Sequence, residues 1–194
     1  MDYQAYRPHR REILLIPENE LEREILQNQE VKDGLDWGYP RFGHPEGKVI
    51  YHIKEIFDNI DKLNPEPAER RKLRLLALVH DTFKYQEDKR KCASDPTKHH
   101  AHIAYSFLRQ YTDDQDVLQV TKTHDDAYYA WRADYAYRDP ESAKLKLDSL
   151  LMEVAPCLDL YYKFFVCDTR TGDKNQSPIR WFEEKIQPCH RIRL

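Results

Sequence analysis

Four histidines and two aspartates of this 194-residue chain fall where a helical pattern calls for apolar side chains. His52 lies on the stripe of Val49, Ile53, Ile56, Ile60 and Leu63. His80 and Asp81 close the apolar run Leu73–Val79, and His100 begins the face of Ala104, Phe107, Leu108 and Tyr111. His124 shares a face with Val117, Val120, Thr121, Tyr128 and Trp131, and Asp168 with Cys157, Tyr161, Phe164 and Phe165. Apolar recurrence at 3, 4 and 7 residues marks the buried side of a helix, and a charge taken there is expensive unless it is paired or binds an ion. Any one of these residues alone reads as a core histidine bonded to a carbonyl. Five helices doing the same thing point to a metal, and a nitrogen and oxygen donor set without thiolate suits Mn, Fe, Zn, Co or Mg.

The dipeptide His80-Asp81 is weak by itself, since the composition predicts about one His-Asp pair by chance and the chain has a second at His124-Asp125. The context singles out the first pair: residues 73 to 79 are aliphatic or Ala apart from Arg74, so the helix that delivers it is surrounded by protein. Asp125 is accordingly expected to be dispensable.

The elements that must position these groups all read as helices. Only five glycines occur, most of the eleven prolines stand where a helix would start, and no alternating strand pattern appears. The expectation is an all-α protein: a first helix from Pro17 to about Gln29, an aromatic loop from Gly34 to Gly43, and a helix carrying His52 that ends at Pro65. A central helix follows from about Ala68 to Lys84, then a polar connection over 86–98 that reads as a lid or a plain linker. Further helices are expected to begin near His100, before Val117 (running through Trp131), near Glu141 (offering Leu145, Leu147, Leu150 and Leu151), at Pro156 and after Pro178. His102 should point away from the core, and His9, His99 and His190 are read as surface residues.

At 194 residues the chain fits one compact domain, with 1–42 as a helix and loop packing on a core of 43–194. Its 34% charged and 40% hydrophobic residues are ordinary for a globular protein, and a net charge of −3 disfavours nucleic acid as a partner. The basic clusters Arg7–Arg11 and Arg70–Arg74 read as solvated helix faces. No apolar leader or run long enough for a membrane span is present, so a cytoplasmic location is expected. The four cysteines form no Cys-x-x-Cys pair and read as free thiols.

The order His52, His80-Asp81, then a distant Asp168 resembles the signature of the HD superfamily of metal-dependent phosphohydrolases. His100 and His124 are similar to the pattern of members that hold a second ion. His100-Ala-His-Ile-Ala104 with Leu108 resembles that family's His-x-x-x-small-x-x-x-Leu helix. His44-Pro-Glu-Gly47 looks like the opening of the HD module in some tRNA nucleotidyltransferases, whose catalytic domain has no room here. The resemblance covers roughly residues 43 to 173, with a departure where Thr82 and Phe83 replace the usual x-Gly before Lys84.

The resemblance implies a single HD-like helical bundle binding one or two divalent ions, the first on His52, His80, Asp81 and Asp168, the second on His100 and His124 with Asp81 bridging. Asp159 and Asp173 compete with Asp168 but sit less well on the stripe. The implied reaction is hydrolysis of a phosphomonoester or phosphodiester, plausibly of a nucleotide, with catalytic roles for Asp81 and Lys84 and an ion that acidifies the attacking water. Arg41, His44 and Glu46 before the ligand helix, and Arg170 and Lys174 past Asp168, are candidates to contact the substrate phosphate or to support the ligands. Trp37, Trp131 and the tyrosines could stack on a base. Two other readings stay open: a metal- or nucleotide-binding regulatory module without turnover, and a purely structural ion. Oligomeric state is open as well.

Overall fold

The structure is a computed structural model that describes residues 15–186. His9, His190, Cys189 and the Arg7–Arg11 cluster lie outside the described residues. Among the described residues ten α-helices run α1 Glu20–Gln27, α2 Gln29–Leu35, α3 Val49–Leu63, α4 Pro67–Val79, α5 His100–Leu108, α6 Gln115–Thr123, α7 Asp126–Tyr135, α8 Pro140–Val154, α9 Leu158–Thr169 and α10 Ser177–Ile186. Among the described residues there is no strand, only an isolated bridge between Arg41 and His44, and no helix is long and apolar enough to cross a membrane. The all-α expectation holds.

Helix α4 is the axis of the bundle. Leu73, Leu76, Ala77, Leu78 and Val79 are completely buried, and α4 packs on α3, α6 and α9, while α7 lies along α8 and α10 covers α7 and α9. Its one charged core residue, Arg74, is 4% exposed. The guanidinium lies 3.8 Å from the centre of the Phe57 ring, donates to Glu22 Oε2 at 2.9 Å and to the Ile16 carbonyl at 2.8 Å. Arg70 pairs with Glu18 and Asp61, so the Arg70–Arg74 stretch is a set of ion pairs partly inside the protein, not a solvated face. Burying an arginine requires this kind of full pairing.

Several boundaries differ from the periodicity, each for a local reason. The expected first helix is two, because Asn28 leaves helical geometry and its side chain caps the next helix at the Glu30 amide. Gly34 therefore lies in α2, where a Cβ would come 1.9 Å from the Thr82 carbonyl oxygen. The central helix stops at Val79, since Thr82 and Lys84 donate to the carbonyls of Val79 and Asp81 in tight turns and the Thr82 hydroxyl bonds Leu78 O. The single helix expected across Val117–Trp131 breaks at His124-Asp125, where the Tyr161 hydroxyl accepts from the Ala127 amide and sits 3.1 Å from Thr123 O. Leu145 is 71% exposed, so the buried face of α8 is Ala143, Leu147, Leu150 and Val154.

Candidate metal centre

The polar groups gather at one end of the bundle because most of them sit at helix ends. His80 is the C-terminal cap of α4, His124 that of α6, and Asp168 lies in the last turn of α9. His100 opens α5, and His52 stands one turn into α3. Three helix C-termini thus converge there, and the partial negative charge of a C-terminus favours a cation. The last-turn carbonyls also orient the ligands: His80 Nδ1 donates to Ala77 O at 3.1 Å and His124 Nδ1 to Thr121 O at 2.9 Å. A carbonyl can only accept, so these contacts place the proton on Nδ1 and turn Nε2 inward.

Asp81, 5% exposed, is the centre of the cluster. Its Oδ2 lies 3.7 Å from His52 Nε2 and 3.6 Å from His80 Nε2, whereas Oδ1 lies 3.4 Å from His100 Nε2 and 3.5 Å from His124 Nε2. One carboxylate therefore faces two pairs of imidazoles with its two oxygens. On the first side Asp168 Oδ1 stands 3.0 Å from His52 Nε2 and 3.8 Å from His80 Nε2. On the second side Asp125 Oδ2 stands 3.3 Å from His100 Nε2 and 3.7 Å from His124 Nε2.

The residues fit a divalent cation. His80 Nε2 is buried and makes no hydrogen bond, which is rare for buried polar atoms and marks an acceptor waiting for a partner, while His52 Nε2 faces Asp168 Oδ1 at 3.0 Å. The triads His52, His80, Asp81 and Asp81, His100, His124 can each be spanned by a single ion. Around them is a supporting layer of the kind that fixes ligand orientation. His100 Nδ1 meets Glu87 Oε2 at 2.5 Å, His52 Nδ1 lies 3.6 Å from the buried Glu46 Oε1, and His44 Nδ1 meets that same oxygen at 2.9 Å.

The electrostatics of the two sides differ. Burial pushes His80 down to about 3, against the pull of Asp81 and Asp168, and burial with the Lys174 charge also lowers His52. Burial opposes protonation of His100 too, but Asp125, Asp81 and Glu87 together raise it to about 10, and Asp125 and Asp81 raise His124. Asp81 and Asp168 are held well below the usual carboxylate range despite burial, chiefly by Lys84 and Lys174 respectively.

The sequence candidates fall into four groups. His52, His80, Asp81, His100, His124 and Asp168 are brought together. Lys84 Nζ sits 2.5 Å from Asp81 Oδ2 and Lys174 Nζ 2.9 Å from Asp168 Oδ1, so both are held on the cluster; Lys84 does so from a 3-10 turn and not from α4. Arg41 and His44 line the cleft of about 720 Å³ that opens onto Asp81, His100, His124, Asp125 and Asp168. Arg170 does not line it. Of the competing acids, Asp173 accepts from the Gly43 amide and Asp159 pairs with Lys163 at the surface, both away from the cluster. His99 is half-buried and not a plain surface residue: its ring lies tilted against that of His100 with centroids 4.3 Å apart, and its Nε2 meets the Tyr129 hydroxyl at 3.1 Å. Asp125, Glu87 and Tyr129 were not anticipated as parts of the site. The usable signal for Asp125 was its adjacency to His124, which repeats that of Asp81 to His80. Glu87 and Tyr129 lie in a polar connection and a tyrosine-rich stretch that carry no distinguishing pattern.

No curated protein and no solved structure matches the chain. The family model described as the HD domain matches residues 41–150, more than half of the sequence, and that span contains His52, His80-Asp81, His100 and His124-Asp125 while ending before Asp168. With the helical architecture and the His/Asp cluster already in place, the chain belongs to the HD-domain family, within the superfamily of metal-dependent phosphohydrolases.

Proposed function

We propose that the protein hydrolyses a phosphate ester, a phosphomonoester or phosphodiester of a nucleotide, with divalent metal. The observation that carries this reading is Asp81 with each oxygen facing its own pair of imidazole nitrogens, at the floor of an open cleft. His52, His80, Asp81 and Asp168 would hold one ion, and His100 and His124 with Asp81 a second, supplying Lewis acidity and a nucleophilic water at neutral pH.

The chain's own groups do the rest. Arg41, Lys84, Lys174 and Arg132 bring positive charge to the cleft, where fixed cations grip phosphate oxygens and stabilise charge that develops on them. Asp81 and Asp125 keep Lys84 protonated in spite of burial, so it acts as a cation and not as a base. Trp37, Phe42, Tyr128 and Trp131 line the same cleft, with Phe42 80% exposed, and give a planar base surfaces on which to stack.

The test is hydrolysis of a generic phosphomonoester, a generic phosphodiester and a nucleotide panel with added Mn, Co or Mg. Metal-dependent turnover that chelation abolishes while the helical circular dichroism signal persists is the expected result. Nucleotide or metal binding without turnover of any ester would replace this reading with a regulatory binding module. Collapse of the fold on chelation would make the ion structural.

A further inference from the structure

Asp125 has no assigned role, yet its surroundings copy those of Asp168. Both stand beside two imidazole Nε2 atoms at nearly the same pair of distances, 3.0 and 3.8 Å for Asp168 and 3.3 and 3.7 Å for Asp125. Both share Asp81 with the opposite half of the cluster, Asp168 on the side of Oδ2 and Asp125 on the side of Oδ1. Each is also held from behind: Asp168 by the Lys174 ammonium at 2.9 Å, and Asp125 by the Tyr129 hydroxyl, which donates to its Oδ2 at 3.2 Å, with His99 Nε2 at 3.9 Å. In the second half His100 and His124 bring their Nε2 atoms within 3.3 Å of each other. Without Asp125 that half would have three donors to the four of the first.

We infer that Asp125 is the terminal carboxylate ligand of the second ion, so that each half of the centre has two imidazoles, one private carboxylate and one oxygen of Asp81. This role of Asp125 rests on the metal reading proposed above. The shared carboxylate then bridges two ions with equivalent donor sets, and the second His-Asp dipeptide does for the second ion part of what the first does for both.

The probe is Mn(II) alone. Protein equilibrated with excess Mn(II) and freed of unbound ion is assayed for metal content and by low-temperature electron paramagnetic resonance, and Mn-loaded crystals of the unaltered protein are examined by anomalous diffraction. The inference expects two Mn per chain with an exchange-coupled signal, one of them within coordination distance of Asp125. It expects one Mn per chain with an uncoupled signal in Asp125→Asn and in Asp125→Ser, both judged at unchanged helical circular dichroism. Two coupled ions in those variants, or two anomalous peaks with Asp125 out of reach of both, would overturn the role of Asp125 and leave the metal reading standing. A single ion on the His52 side in the unaltered protein would also overturn it, whereas no bound Mn at all would overturn both.

Discussion

On one side of Asp81, His52 and His80 stand with Asp168; on the other, His100 and His124 stand with Asp125. The donors are alike, but the charges that balance them are not. In the first half two lysines neutralise the carboxylates, Lys174 on Asp168 and Lys84 on Asp81 Oδ2, and burial lowers both imidazoles, His80 to about 3. In the second half no lysine touches Asp125 among the ion pairs of the described residues, and the carboxylates raise both imidazoles, His100 to about 10. Identical residue types are thus shifted in opposite directions: burial prevails over the carboxylates at His80 and His52, and the carboxylates prevail over burial at His100 and His124.

The largest effect should come from removing what the halves share. Asp81→Ala takes an oxygen from each, and we expect loss of metal from both and a fall in kcat/KM on the order of 10³-fold or more, the scale of several kcal/mol of lost Lewis-acid stabilisation. Elemental analysis alongside steady-state kinetics checks it; retention of one ion would mean that the halves are independent of Asp81. The supporting layer should separate them instead. Glu87→Gln removes the carboxylate that bonds His100 and should weaken its ion by about 10- to 100-fold, as loss of such partners typically does, whereas Glu46→Gln, 3.6 Å from His52 and bonded to His44 instead, should weaken the first ion less. Calorimetric titration with Mn(II) would resolve the two steps.

Gly34→Ala should disturb both halves together. Its Cβ would meet the Thr82 carbonyl next to Asp81, and overpacking of this kind costs about 1–3 kcal/mol, readable as a lower urea midpoint.

The subtlest test is the pH profile of the metal-free protein. His80 has a folded pKa of about 3, below its unfolded value of ~6.5, so its contribution is present above ~6.5 and lost as pH falls towards 3. His100 has a folded pKa of about 10, so its contribution is present below ~6.5 and lost as pH rises through 10. In chelator, His80→Ala should therefore flatten the acid limb of the stability curve and His100→Ala the alkaline limb; one limb responding to both would erase the contrast.

Much of this was legible in the sequence because burial writes itself as periodicity. His52, His100 and Asp168 interrupt stripes that a helix must bury, and the apolar circumference of Leu73–Val79 marks the axis that the structure has. The misreadings came where side chains override the period. Asn28 caps a new helix, and the Tyr161 hydroxyl binds a turn 37 to 38 residues away, beside His124. Arg74 looked solvated because its partners Glu18 and Glu22 are 52 residues or more distant in the chain. Nothing in the sequence marks Asp125 beyond its place after His124, because a lone dipeptide has no statistical weight; only the fold brings His100 from another helix to face it.

The most direct test of the central claim is elemental analysis of the protein purified without chelator. Transition-metal ions bound in stoichiometric amount, one or two per chain, and their loss in Asp81→Ala are expected. Protein that carries no metal and takes up none from added Mn, Co or Mg would contradict it, and would leave a helical bundle whose buried histidines and aspartates merely satisfy one another.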